Sequence, residues 1–219
     1  MWRIFRNNGL SIVMFCLFAI FLAGQSLSGF LVEREEQSEH GGGALTYRQY
    51  LTSGDFVEAT FENWESEFLQ MAAYVVFTIF LRQKGSSESK KLTGEEEVDA
   101  DPREARDKRD APWPVRRGGA VLKLYENSLG LAFLFLFLMS FALHAGGGVE
   151  AYNQEEALHG RASITTLQYL ATARFWFESL QNWQSEFLAV FCIVVLSIFL
   201  RQRGSPESKP VATPHYETA

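Results

Sequence analysis

Residues 63–90, NWESEFLQMAAYVVFTIFLRQKGSSESK, recur 119 residues later as residues 182–209, NWQSEFLAVFCIVVLSIFLRQRGSPESK. The same offset aligns QYL at 49–51 with QYL at 168–170, without a gap. Self-similarity at a fixed spacing is the sequence signature of a repeated structural unit. The chain is therefore predicted to contain two tandem copies of one unit, and both copies should adopt the same fold.

Four charge-free apolar blocks, two in each copy, predict the membrane-spanning helices of this unit. They are residues 10–23, 68–81, 129–145 and 187–200, and the first continues to residue 32 with only Gln25, Ser26 and Ser28 as polar interruptions. A helix needs about 20 apolar residues to cross a bilayer. The second and fourth blocks are shorter than this, but each is preceded by a tryptophan, Trp64 or Trp183, and tryptophan is enriched at membrane interfaces. We predict an all-α protein, a four-helix transmembrane bundle of two tandem two-span repeats in which these tryptophans are interfacial anchors.

The connection between the two spans of each copy contains helix signals, so short outer helices are also predicted. Thr46 is a suitable N-cap for a helix over residues 46–53, and residues 165–172 repeat this pattern. Residues 1–90 are predicted to form the first two-span repeat, 91–119 a disordered charged cytoplasmic linker, 120–209 the second two-span repeat and 210–219 a disordered tail. The linker is expected to be disordered because it has too little apolar surface to offset its ordering entropy.

The distribution of basic residues predicts the topology. Of the 20 Lys and Arg residues, 16 lie in residues 1–9, 82–123 and 201–219. Cytoplasmic loops carry an excess of Lys and Arg, so both termini and the linker are expected in the cytoplasm. Basic residues interleaved with aromatic ones, as a nucleic-acid surface requires, are absent. The predicted partners are the lipid bilayer and a membrane protein or a second copy of this chain, with no nucleic acid.

Two polar pairs recur at the edge of the second span of each copy. They are Asn63 with Glu67 and Asn182 with Glu186. A spacing of four residues puts both members of a pair on one helix face. One interpretation is a symmetric pair of carboxylates that binds a cation or relays a proton, since ionisable groups at membrane depth are costly and usually functional. The alternative is that both carboxylates lie in the headgroup layer and only position the helix.

Two carboxylate–imidazole pairs also recur at a spacing of four residues. They are Glu36 with His40 and Glu155 with His159. Such a pair on a helix could chelate a divalent metal, although a His-Gly sequence also fits a simple loop turn. Gln25 and its repeat equivalent His144 lie near the outer ends of the first spans. Hydrogen bonding between helices is the expected role for these two residues, with a metal or proton ligand as the alternative.

Motifs of enzymes are not found: the sequence has no glycine-rich phosphate loop, no G-x-S-x-G and no H-E-x-x-H. No enzymatic activity and no cofactor are therefore expected. Arg82 and Arg201 close the second span of each copy on the basic side. They fit anchors for the helix C-terminus and for phospholipid headgroups.

The pattern N-W-x-S-E-F-L, followed by an apolar run that ends F-L-R-Q-x-G-S-x-E-S-K, resembles a family of small bacterial inner-membrane proteins classed as a domain of unknown function. The resemblance covers nearly all of both halves and implies a multi-pass protein of the bacterial inner membrane. It implies no activity. The sequence thus favours a non-enzymatic structural or interaction protein. The alternatives are a small cation or proton transporter or channel that uses Glu67 and Glu186, and an outer-face metal-binding module.

Overall fold

The computed structural model describes residues 2–39 and 43–218, and within these residues the chain is all-α, without a β-strand. Helices α1 to α8 are, in order, Trp2–Glu39, Tyr47–Tyr50, Gly54–Phe80, Trp113–Arg117, Gly119–Glu126, Ser128–Leu158, Thr166–Tyr169 and Ala173–Phe199. Two short 3-10 turns, Glu97–Asp99 and Pro102–Ala105, lie between α3 and α4. The all-α class predicted from the sequence is confirmed.

Three of the described helices are long and apolar enough to cross a membrane: α1 over Arg3–Ser38, α6 and α8. Large apolar side chains on these helices are exposed, such as Phe21 at 69% and Phe135 at 65%. Exposed apolar surface of this extent marks a contact with lipid or with another protein. The structure therefore supports a multi-pass membrane protein. Helix α3 is not among the three, because Gln70 and Tyr74 interrupt its apolar run and lower its mean hydropathy. A fourth span through α3 stays a prediction.

The helices recur at the spacing of the sequence repeat. Helices α7 and α8 begin and end at the repeat equivalents of the first and last residues of α2 and α3. Asn8 and Asn127 are also repeat-equivalent, and both interrupt the helix, with φ values of −131° and −111°. Each side-chain amide donates to the carbonyl four residues earlier, at 3.2 Å for Asn8 and 2.8 Å for Asn127. Short polar side chains compete with helical hydrogen bonds in this way.

A capping box starts each short outer helix. The hydroxyl of Thr46 accepts from the backbone N–H of Gln49 at 3.4 Å, and the Gln49 side chain accepts from the Thr46 N–H at 2.9 Å. Thr165 and Gln168 repeat both bonds at 3.3 and 2.8 Å. Reciprocal bonds of this kind satisfy the first backbone donors of a helix. The predicted N-cap at Thr46 is confirmed, and α2 is shorter than the predicted helix over residues 46–53.

The described chain forms two compact units, each built from two separate stretches. Unit 1 contains Met1–Phe61 and Leu143–Thr172, and unit 2 contains Glu62–Ala142 and Ala173–Ala219. The predicted boundaries of the two repeats, the linker and the tail stay predictions, although hydrogen-bonded turns occur within both predicted disordered segments.

Glycines set the packing of unit 1. Helix α3 begins so close to α6 that a Cβ on Gly54 would stand 2.7 Å from the carbonyl oxygen of Gly147. The aromatic ring of Tyr169 covers Gly148, where an added Cβ would be 2.7 Å from the phenol oxygen. Tyr50 covers Gly29 in the same way in the first copy. Small residues let helices approach this closely when lipid supplies no hydrophobic drive for their association.

Aromatic rings fill much of unit 2. Phe141 and Phe175 meet edge to face with centroids 5.3 Å apart, and Phe137 meets Trp183 at 6.2 Å. Such pairs contribute about 0.5–1.5 kcal/mol each beyond the apolar area that they bury. The pairs join α6 to α8 within this unit.

Gly148→Ala should destabilise the protein, because the added methyl group overlaps the buried ring of Tyr169 and overpacking costs about 1–3 kcal/mol. Gly146→Ala on the same helix is the matched control, since no atom lies within 4 Å of its added Cβ. Replacing a helical glycine by alanine in open space should stabilise by up to about 1 kcal/mol. Thermal unfolding of both variants in detergent measures the difference. Equal melting temperatures for the two variants would contradict the close packing at Gly148.

Candidate functional site

The carboxylates predicted at the membrane edge both belong to unit 2. Glu67 on α3 is exposed, and Glu186 on α8 is half-buried. Asn63 is exposed, while the side-chain amide of Asn182 donates to a backbone carbonyl of its own helix at 3.1 Å. The arrangement fits a partly hydrated pair of carboxylates, and the role predicted for them stays a prediction.

A buried carboxylate that the sequence did not single out lies two residues from both Asn63 and Glu67 on α3. Glu65 is fully buried, and its Oε1 accepts a hydrogen bond of 2.8 Å from the indole Nε1 of Trp183. Burying a carboxylate is costly unless it is hydrogen-bonded, so this contact with Trp183 offsets part of the cost. The repeat equivalent of Glu65 is Gln184, which is exposed. The difference between the two copies is the signal that could have identified Glu65.

The tryptophans predicted as interfacial anchors also have packing roles. The Trp183 ring meets the Trp176 ring at 6.3 Å, and the Trp64 ring meets the Phe68 ring at 6.5 Å, both edge to face. Trp183 therefore combines ring packing with a hydrogen bond to Glu65. Its position relative to a membrane interface stays a prediction.

The arginines at the end of the second helix of each copy cap that helix. The guanidinium of Arg82 donates to two carbonyls of the last turn of α3, at 3.0 and 3.4 Å, and to the Leu81 carbonyl just after the helix, at 3.1 Å. Arg201 donates to three carbonyls at the end of α8, at 2.7, 3.0 and 3.1 Å. Basic side chains near a helix C-terminus satisfy its orphan carbonyls and interact favourably with the helix dipole. The predicted role as helix C-terminal anchors is observed, whereas contact with headgroups stays a prediction.

The serines that follow these arginines fold the chain into the same loop twice. Ser89 Oγ accepts from the backbone N–H of Gln83 at 2.8 Å, and Ser208 Oγ accepts from Gln202 at 2.9 Å. Both loops turn on a glycine whose φ is +86°, a conformation that L side chains rarely adopt; these are Gly85 and Gly204. The recurring sequence R-Q-x-G-S-x-E-S-K thus encodes a helix cap and the loop after it.

The lysine that ends this motif has different surroundings in the two copies. Lys209 is buried, and its ammonium group donates to three backbone carbonyls of the C-terminal segment, at 2.7, 3.2 and 3.3 Å. Burial lowers the pKa of Lys209. Lys90 instead forms an ion pair with Asp99, and this hydrogen bond lowers the pKa of the Asp99 carboxyl. Each lysine therefore binds the chain segment that follows its loop, Lys209 through hydrogen bonds to backbone carbonyls and Lys90 through an ion pair.

Unit 1 contains a cluster of titratable groups on α3, α6 and α7. His144 on α6 is fully buried, and one of its ring nitrogens lies within 4.8 Å of a carboxylate oxygen of Glu58 on α3. The phenol of Tyr169 donates to Oε1 of Glu58 at 3.0 Å. In the first copy, Gln25 stands at the position equivalent to His144, and its amide donates to the Ala59 carbonyl at 3.3 Å and to Thr60 at 3.4 Å. The interhelical hydrogen bonding predicted for Gln25 is therefore observed.

The outer pairs predicted to bind metal are placed only in part. Glu36 on α1 is exposed, and His40 lies outside the described residues. Glu155 and His159 are exposed near the end of α6, and His159 Nδ1 lies 3.0 Å from the backbone carbonyl oxygen of Glu155. This contact places the imidazole at the helix terminus. Metal binding by the outer pairs stays a prediction.

Glu65→Ala should lower the free energy of unfolding by about 1–3 kcal/mol, because it leaves the indole N–H of Trp183 without its carboxylate acceptor. The matched control is Glu67→Ala, two residues away and exposed, which should change stability by less than about 0.5 kcal/mol. Unfolding in detergent, followed by tryptophan fluorescence, measures both. A double-mutant cycle with Trp183→Phe should give a coupling energy of about 0.5–3 kcal/mol, and additive losses would argue against the bond.

A family model described as "Domain of unknown function (DUF6766)" matches residues 1–219 of the chain. No curated protein and no solved structure matches the chain. The motif in each half resembles a family of unknown function, but the match is to one domain that extends over both halves. The chain therefore belongs to the DUF6766 family of domains of unknown function.

Proposed function

We propose that this protein is a non-enzymatic structural or interaction protein of the bacterial inner membrane. One observation carries the proposal: polar residues that recur between the copies are used to hold backbone groups. Arg82 and Arg201 cap helices, and Ser89 and Ser208 close loops. A repeated polar motif that serves a reaction would direct such groups toward a shared cavity.

The exposed apolar side chains of the long helices form the surface that is available to bind lipid or a protein partner. On α8, the exposed aromatic side chains include Phe177 at 67% and Phe191 at 61%. In lipid, helices associate through close fit and a few polar contacts. We propose that this surface contacts lipid together with a membrane-protein partner or a second copy of the chain.

We further propose two tandem two-span repeats with four crossings, in which α3 is the second span. Helices α3 and α8 each contain 27 residues, which corresponds to about 40 Å of helix and exceeds the roughly 30 Å of a hydrocarbon core. The excess of Lys and Arg in residues 1–9, 82–123 and 201–219 supports cytoplasmic termini.

A cation or proton pathway through Glu67 and Glu186 is the second candidate function. It is favoured by the recurrence of these carboxylates within one compact unit and by the partial burial of Glu186. Carboxylates that approach each other near membrane depth occur in ion and proton relays. The exposure of Glu67 counts against it, since a relay group is normally shielded from competing ions.

A photo-crosslinking amino acid at position 177 or 191 should yield a protein adduct of one fixed mass in native membranes, because both positions face outward. The same amino acid at position 98, which is exposed in the charged segment after α3, is the control for random collisions. Mass spectrometry identifies the adduct as a second copy or another membrane protein. Adducts with lipid alone at both helix positions would contradict an interaction role.

Reconstituted protein should carry no protons or K⁺ above the background of protein-free liposomes, because the structural proposal requires no pathway. A pH-sensitive dye inside the vesicles measures proton flux after an imposed gradient. Flux that disappears in the double variant Glu67→Gln/Glu186→Gln, yet persists in the exposed control Glu126→Gln, would establish the second candidate function instead.

A further inference from the structure

We propose that α4, α5 and the turn between them bind the headgroup phosphate of an anionic phospholipid, and that Arg116 and Arg117 are the side chains that contact it. The inference adds a lipid-binding site to the proposed function. It rests on α6 as a membrane-spanning helix, and it concerns a different surface from the exposed aromatic side chains of α8.

An open cavity lies between α4 and α5. Its volume is about 760 Å³, which is within the range of roughly 300–1,000 Å³ that is typical of ligand sites. Trp113, Arg116 and Arg117 on α4 line it together with residues 118–121. The turn is accessible at Gly118 and Gly119, since no atom lies within 4 Å of a Cβ added to either glycine. A lipid headgroup can therefore reach both arginines.

The guanidinium groups of Arg116 and Arg117 are exposed, and neither forms an ion pair within residues 2–39 and 43–218. Residues 111–125 contain these two arginines and Lys123 as charged residues, without an Asp or Glu. The positive charge around the cavity is thus not balanced by nearby carboxylates in the sequence. A guanidinium is always charged, and its planar fork matches the geometry of a phosphate group. The charge of the cavity therefore complements an anionic headgroup.

Trp113 places an aromatic ring beside these charges. It is 59% exposed, and the guanidinium carbon of Arg117 lies 5.8 Å from the centroid of its ring. Tryptophan is enriched at the membrane interface, because its ring is apolar and its N–H is polar. One ring beside two guanidinium groups is much less than the extended basic surface that nucleic-acid binding requires. The composition of the cavity therefore favours a membrane surface as the partner.

The position of α5 places this cavity next to the bilayer. Only Asn127 separates α5 from α6, which is long and apolar enough to cross a membrane. Lys123 precedes the start of α6 by roughly 8 Å of helix. Leu124 and Tyr125 are exposed on the same short helix. Basic residues directly before a span, beside exposed apolar ones, are typical of segments that bind anionic lipid.

Buried contacts hold the cavity walls in place. Val115 on α4 and Leu122 on α5 are buried, although their neighbours in sequence are mostly exposed. The Arg106 side chain donates to the backbone carbonyl of Arg116 at 3.3 Å, which joins α4 to the segment before it. Binding costs less when the binding groups are already held in position. The two helices therefore present Arg116 and Arg117 from an anchored backbone.

The test uses the full-length protein in phosphatidylcholine vesicles that contain an increasing fraction of phosphatidylglycerol with brominated acyl chains. Bromine quenches nearby tryptophan, and subtracting the signal of Trp113→Phe isolates Trp113. Each basic residue at an anionic surface contributes about fivefold in affinity, so phosphatidylglycerol should quench Trp113 at a fraction about 20- to 30-fold lower than brominated phosphatidylcholine. The double variant Arg116→Gln/Arg117→Gln should lose this preference.

The matched control is Lys108→Gln/Arg109→Gln, which removes two exposed basic residues outside the cavity and should keep the preference. Three results would overturn the proposal: equal quenching by the two brominated lipids, an unchanged preference in the arginine variant, or an equal loss in the control, which would indicate only diffuse attraction. Added inorganic phosphate should leave the quenching unchanged, and competition by phosphate would instead indicate a site for the free anion.

Circular dichroism checks that each variant is folded. If the arginine variant does not fold, a NaCl titration of wild type decides the matter, because salt screens interactions between exposed charges. A preference for phosphatidylglycerol that disappears at high salt supports the site, and one that persists contradicts it. The crosslinking test at α8 uses none of these variants, so the two proposals can fail separately.

Discussion

The close contact of α3 and α6 at Gly54 and Gly147 is the constraint on which unit 1 depends. Backbone groups of the two helices approach to distances at which no side chain fits between them. Lipid gives helices no hydrophobic reason to associate, so shape and polar contacts must supply the specificity. At this contact, glycines provide the shape, and the neighbouring turns bring Glu58, His144 and Tyr169 into one buried cluster. A bulkier residue at either glycine would separate these groups.

Local signals in the sequence predicted local structure well. The N-cap at Thr46 and the short outer helix after it follow from side chains that bond within four residues. The capping role of Arg82 and Arg201 also follows from position, since a basic residue at the end of an apolar run satisfies carbonyls of that same run. Hydrogen bonds between residues so close in sequence can be predicted without knowing which helices pack together.

The buried polar contacts could not be predicted in the same way, because they join distant parts of the chain. Glu65 bonds to Trp183, and Tyr169 bonds to Glu58. The pairing of Glu65 with Trp183 depends on how α3 and α8 pack, which periodicity does not specify. Neither carboxylate recurs, since Gln184 and Phe177 occupy the positions equivalent to Glu65 and Glu58 in the second copy.

This contrast separates two kinds of residue in a repeated chain. Residues that must be the same in both copies hold caps and loops, because each copy has to fold by the same local rules. Residues that differ between the copies do not serve this shared local structure. Here they include Glu58, Glu65 and His144, whose titratable side chains lie wholly or partly buried. Burying such groups costs free energy that folding alone does not require. Chemistry beyond structural support should therefore be sought where the copies diverge.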